Sequence, residues 1–197
     1  EKNLYNHYLF IKNMISNGLK NITITGTCFE YGMQNGCLSE EMIVEPSNSY
    51  AIAKDTLRKF IVELNKIFDF NYKWIRLFYM YGEGQSEKSL MSLLDKAIEN
   101  GDKEFNMSGG EQLRDFLHIT NVVENIVSIA TQTTYNSQVI NCCSGKPISV
   151  RNLVENYLKE KKYTLKLNLG FYPYPNYEPL AFWGDNIKLE RIKKHGI

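Results

Sequence analysis

Asn21-Ile22-Thr23-Ile24-Thr25-Gly26-Thr27 and, after a loop, Ser49-Tyr50-Ala51-Ile52-Ala53-Lys54 decide how this chain is read. The first stretch is a β-rich run that ends on a glycine and a hydroxyl. The second opens a helix, and residues four apart on a helix share a face. Tyr50 and Lys54 can therefore address one site together. A free phenol titrates near ~10. A fixed positive charge beside it favours the phenolate and would bring Tyr50 toward general acid/base use at neutral pH. The spacing alone decides nothing, because Tyr8/Lys12 and Tyr157/Lys161 repeat it. Tyr50 is set apart by the strand-end hydroxyl upstream, in Thr27-Cys28-Phe29-Glu30-Tyr31-Gly32.

A hydroxyl at a strand end, then a loop, then a helix opening on Tyr-x-x-x-Lys resembles the extended short-chain dehydrogenase/reductase family. That family includes the nucleotide-sugar epimerases and dehydratases. Thr27 sits four residues before Tyr31-Gly32, where the family places its catalytic hydroxyl. The resemblance implies that Tyr50 transfers a proton at the reacting oxygen and that Thr27 hydrogen-bonds the same oxygen. It implies that Lys54 holds the nicotinamide ribose of NAD or NADP and depresses the Tyr50 pKa. Arg76-Leu77-Phe78-Tyr79-Met80-Tyr81-Gly82 resembles the family's Arg-x-Phe-Asn-Val-Tyr-Gly strand end. Phe78 would lie by the nicotinamide, although a buried core aromatic explains it nearly as well. Tyr79 stands where relatives have an Asn that contacts the sugar nucleotide. Arg114-Asp115-Phe116 resembles the segment whose Arg grips the nucleotide diphosphate, a task suited to the guanidinium's fixed fork of donors. Arg114 is accordingly expected in the same cleft, on the side away from Lys54. Asp115 and the turn Asn141–Val150 read as scaffold.

The 197 residues carry 43% hydrophobic and 13% aromatic residues, enough for a packed core. A formal net charge of +1 gives no electrostatic case for nucleic acid or an anionic membrane. No apolar run approaches a membrane span, and no secretory signal is present. Cys28, Cys37, Cys142 and Cys143 lack Cys-x-x-Cys spacing, which argues against a metal site and for reduced thiols in a cytoplasmic protein. No Gly-rich strand-to-helix turn for a dinucleotide pyrophosphate is found. The chain therefore resembles the C-terminal two-thirds of such an enzyme, and little turnover is expected of it alone. The complete enzyme is expected to be a homodimer.

The periodicity predicts α/β architecture: a partial doubly wound, Rossmann-like parallel sheet with a smaller α+β substrate-binding region. Residues 1–82 form the dinucleotide-binding part and 83–197 mainly the nucleotide-sugar-binding part, with a strand near 138–143 returning to the sheet. Helices are expected over 3–17, 49–68, 90–98, 121–130 (capped by Thr120) and 150–158 (capped by Ser149). Asp185 is expected to cap a short last one. Residues 28–48 read as a long loop, 72–80 as one buried strand, and 163–169 as a half-buried strand. Segments 104–107 and 113–119 read as short strands around Ser108-Gly109-Gly110.

Among the family's reactions, dehydration would call for an Asp-Glu pair after the catalytic hydroxyl, where this chain has Cys28-Phe29. Double epimerisation would call for a Cys two places after it and a His downstream; the Cys is one place early and the loop 81–89 has no His. Reduction of a nucleotide-linked 4-keto-6-deoxyhexose or 4-epimerisation remains. The aromatic, proline-rich tail 171–185 resembles that of 4-ketoreductase-like members and favours reduction. A non-catalytic fragment that at most binds nucleotide-sugar is the other class of answer.

Overall fold

The computed structural model describes residues 3–195. In chain order the elements are α1 (Leu4–Ser16), β1 (Asn21–Thr27), β2 (Gly36–Leu38), α2 (Ser49–Ile67), β3 (Asn71–Leu77), β4 (Tyr79–Tyr81) and α3 (Leu90–Glu99). They continue with β5 (Glu104–Asn106), β6 (Leu113–Arg114), β7 (Phe116–His118), α4 (Ile119–Thr131), β8 (Gln138–Cys142) and β9 (Ile148–Ser149). The last are α5 (Val150–Glu160), β10 (Lys166–Asn168), β11 (Phe182–Gly184) and α6 (Ile187–His195).

The centre is a parallel sheet in the order β1-β3-β8. β3 is its middle strand and is buried from Tyr72 to Arg76, as a parallel strand covered on both faces must be. Successive side chains alternate between faces. Trp74 meets Ile11, Ile15, Leu57, Ile61 and Leu64 of α1 and α2, whereas Ile75 meets Val122, Ile129, Leu189 and Ile192 of α4 and α6. Thus α4, β8 and α6, all from the C-terminal half, return to the sheet. A separate core of Met91, Leu94, Phe105, Val154 and Leu158 joins α3, β5 and α5 beside it.

Helix ends follow local chemistry. At the end of α1, Gly18 takes φ +96° and its N–H reaches the Ile15 carbonyl while Leu19 N–H reaches Met14. This is the glycine-dependent stop that satisfies orphan carbonyls. Asn48 starts α2 by accepting from Ala51 N–H at 2.9 Å, and Ser149 starts α5 by accepting from Asn152 N–H at 3.1 Å. The start of α4 differs from expectation: its N-cap is His118, whose Nδ1 accepts from Thr120, so the helix begins two residues before the expected Asn121.

Other departures have tertiary causes. The run 72–80 is not one strand. β8 ends opposite Leu77, Phe78 N–H bonds the Cys142 carbonyl, and the chain then changes partner so that β4 pairs with β7. The 28–48 loop contains a 3-10 turn, Cys28–Tyr31, and the strand β2, whose partner β11 comes from the far end of the chain. The strands flanking Ser108-Gly109-Gly110 do not pair with each other; β5 pairs with β10 and β6 with β9. The alternating segment 163–169 forms strand only at Lys166–Asn168, the length that β5 can match. At the other end, Asp185 accepts from Ile187 N–H as α6 begins.

One glycine couples the sheet to the turn beyond it. A Cβ on Gly26 would stand 2.1 Å from Trp74 Nε1 and 2.4 Å from Glu30 Oε1. Gly26→Ala is therefore expected to destabilise the fold by about 2 kcal/mol or more, the scale of core overpacking. Urea unfolding monitored by tryptophan fluorescence checks this, and an unchanged midpoint would contradict it.

Candidate active site

β1 delivers Thr27 to the C-terminal edge of the sheet, and α2 carries Tyr50 and Lys54 past it. Thr27, Tyr50 and Phe78 line one cleft of about 240 Å³, with Gly26, Cys28, Phe29, Leu77, Tyr79 and Met80. Lys54 lies behind Tyr50, its Nζ 5.9 Å from the phenol ring's centre. That Nζ donates to the Thr25 carbonyl at 2.8 Å, which pins the lysine to β1. The repeated Tyr/Lys spacings also form, with Lys12 near the Tyr8 ring and Lys161 near the Tyr157 ring. Neither stands at the end of β1.

Thr27 does two things at once. Its Oγ1 accepts from Phe29 N–H, and its own N–H donates to the Glu30 carboxylate at 2.9 Å. Together these close a capping box over the 3-10 turn. Glu30 is completely buried and also accepts from Trp74 Nε1 at 3.0 Å and from Arg76 Nε at 2.9 Å. Sequence reasoning passes over Glu30. The spacing Thr27-x-x-Glu30 was its signal, obscured because no apolar helical run follows it.

Phe78 is buried against Tyr31 and Phe182 and still faces the cleft, so core packing and a cleft wall are the same residue. Arg114 is elsewhere. It lines a neighbouring cavity of about 280 Å³ that shares only Tyr79 and Met80 with the Thr27/Tyr50 cleft. Its guanidinium lies 4.6 Å from the Phe182 ring centre and donates to the Leu113 and Leu180 carbonyls. Nη2 pairs with the Glu178 carboxylate at 3.3 Å. Tyr79 hydrogen-bonds the same Glu178 oxygen through its hydroxyl. The fork expected to be free for a diphosphate therefore holds a carboxylate, and Glu178 is a second residue that sequence reasoning missed. Asp115 beside it is buried and accepts from the backbone N–H groups of Ser144, Gly145 and Gly184.

Residues 3–143 match the NAD dependent epimerase/dehydratase family. The chain belongs to that family. Over 187 residues it is 32% identical to a dTDP-6-deoxy-L-talose 4-dehydrogenase (NAD(+)) of Aggregatibacter actinomycetemcomitans, covering 92% of this chain and 67% of the relative. Its backbone superposes on UDP-glucuronic acid 4-epimerase of Bacillus cereus with a TM-score of 0.85 at 22% identity, covering 98% of this chain and 61% of that one. An NAD-dependent NDP-hexosamine 5,6-dehydratase of tunicamycin biosynthesis gives 0.82 at 25% identity, with 99% and 64% covered. The chain thus spans about three fifths of these two structures. Among the described residues no helix is long and apolar enough to cross a membrane.

The electrostatics correct one expectation for this family's tyrosine. The Tyr50 pKa is raised, not depressed, with Lys54 beside it. Burial pushes the phenol up, the Cys28 and Glu30 charges add to that, and only the Thr27 hydroxyl's hydrogen bond opposes it. Burial also lowers the Lys54 pKa, with Glu30 opposing. Burial thus shifts both groups toward their neutral forms. NMR of ring-labelled tyrosine should place the Tyr50 titration above the ~10 of a free phenol. Thr27→Ala should raise it further, because the opposing hydrogen bond is lost. A midpoint at or below the free-phenol value would contradict this account.

Proposed function

We propose that this chain carries the proton-transfer half of an NAD(P)-dependent oxidoreductase site. The reaction would be hydride transfer at C4 of a nucleotide-linked 6-deoxyhexose: reduction of the 4-keto sugar, and in reverse oxidation of the 4-hydroxyl. The observation that carries the reading is the shared cleft of Thr27 and Tyr50 with Lys54 one helical turn behind. The resemblance to a 4-dehydrogenase of a dTDP-6-deoxy sugar supports the substrate class, because a dehydrogenase and a ketoreductase run one reaction in two directions.

The residues present fit the reacting end of a nicotinamide cofactor. Leu77 and Phe78 offer an apolar wall, and Lys54 spends one of its donors on Thr25, leaving others for a ribose hydroxyl. When bound, the nicotinamide supplies or takes the hydride. In reduction Tyr50, protonated at neutral pH, gives its proton to the C4 oxygen. Thr27 donates a hydrogen bond to that oxygen as its charge develops. Elimination of water would call for a further acid/base group, and the cleft lining contains no carboxylate. Arg114 serves the nucleotide diphosphate from the adjoining cavity once Glu178 yields its place. The working unit is taken to be a homodimer, a reading that the exposed Tyr5, Phe10, Met14 and Phe60 on α1 and α2 support.

Steady-state assay of nicotinamide absorbance with a nucleotide-linked 4-keto-6-deoxyhexose tests this. Tyr50→Phe should lower kcat by about a hundredfold or more, the scale of lost general acid/base catalysis. Arg114→Ala should raise KM for the nucleotide sugar and leave that for the cofactor near wild type. Because the phenol's pKa is raised, reduction should persist to high pH and fall only as Tyr50 deprotonates, while oxidation should rise over the same range. Full activity in Tyr50→Phe would overturn the assignment.

A further inference from the structure

Glu30 has no face on the cleft, yet much of the local structure is arranged around it. Burying a carboxylate is costly unless it is paired and hydrogen-bonded. Here Oε1 takes the N–H groups of Thr27 and Trp74, and Oε2 takes Arg76 Nε, with Arg58 at 4.0 Å. Gly26 is bare at the point where a side chain would collide with Trp74 Nε1 and Glu30 Oε1. This close approach fixes the carboxylate directly under the strand end that presents Thr27.

A threonine hydroxyl has one proton to donate and two lone pairs to accept with. The capping box commits a lone pair to Phe29 N–H, while Glu30 holds the Thr27 backbone from the other side. The hydroxyl proton is left uncommitted among the described residues, and the hydroxyl shares its cleft with Tyr50. We propose that Glu30 is a positioning residue for the reaction: by closing the cap around Thr27 it turns the Thr27 hydroxyl into a donor aimed at the oxygen that Tyr50 serves. This rests on the oxidoreductase reading above; Glu30 acts chiefly through Thr27, and its charge adds a smaller push on Tyr50 and Lys54.

A double-mutant cycle in the active protein tests it, because residues acting as a unit are non-additive in kcat. Glu30→Ala should lower kcat by about tenfold, the effect of one misaligned hydrogen bond in the transition state, with KM for both substrates near wild type. In a Thr27→Ala background the same change should cost much less, because only the direct effect of its charge on Tyr50 and Lys54 remains. Glu30→Gln is run in parallel. It keeps an acceptor for the Thr27 N–H, so it should lose less than Glu30→Ala, and it serves if the alanine variant does not fold. Thermal melts confirm that each variant is folded at the assay temperature. An equal fold-loss in both backgrounds, or no loss at all, would overturn the positioning role while leaving the oxidoreductase reading intact. An unchanged kcat in Thr27→Ala alone would overturn both.

Discussion

The buried carboxylate of Glu30 ties together the elements that make the site. Through it the end of β1, the turn after it and the centre of β3 share one set of hydrogen bonds. Arg76, its ion-pair partner, lies 4.4 Å from the Tyr31 ring centre, and the Tyr31 hydroxyl bonds Asn141 on β8 at 2.8 Å. All three strands of the sheet are thus joined at their C-terminal ends by one polar chain. Deleting one partner of such a pair leaves an uncompensated charge, so the network behaves as a unit. Where it ends, the cleft begins.

The second polar system has a different character. Glu178, Tyr79 and Arg114 meet where the Thr27/Tyr50 cleft adjoins the larger cavity. Tyr79 lines both, and its phenol is pushed up by burial and by the Glu178 charge beside it. Thr27 and Tyr50 therefore line one cavity and the Arg114 guanidinium the next, with Tyr79 and Met80 as their shared wall. A nucleotide sugar spanning both would place its reacting carbon in one and its diphosphate in the other, as the proposed function requires.

Much of this was legible in the sequence wherever one local signal sufficed. The β-rich run 21–27, the apolar run from Tyr72 and the strand at 138–142 are self-evident patterns, and together they make the central sheet. Gly18 and Ser149 mark helix ends by their own chemistry. Thr27, Tyr50 and Phe78 come together because their strand and helix do. What was not legible depends on partners distant in the chain. Phe78 breaks the strand only because β8 runs out and β7 takes over. β2 exists only because β11 arrives beside it. The same holds for Arg114, whose fork is filled by Glu178 from the aromatic tail. The direction of the Tyr50 pKa shift was not legible because spacing reports the lysine's proximity but not the desolvation, nor the Cys28 and Glu30 groups that the fold brings beside the phenol.

The central claim is that Thr27 and Tyr50 serve an oxygen on a carbon that exchanges hydride with nicotinamide. Its most direct measurement follows the label from a nucleotide-linked 6-deoxyhexose deuterated at C4. The account predicts that deuterium moves to the oxidised cofactor, with a primary isotope effect on the hydride step, and that Tyr50→Phe suppresses the transfer. Deuterium retained at C4, or lost to solvent without reaching the cofactor, would contradict it.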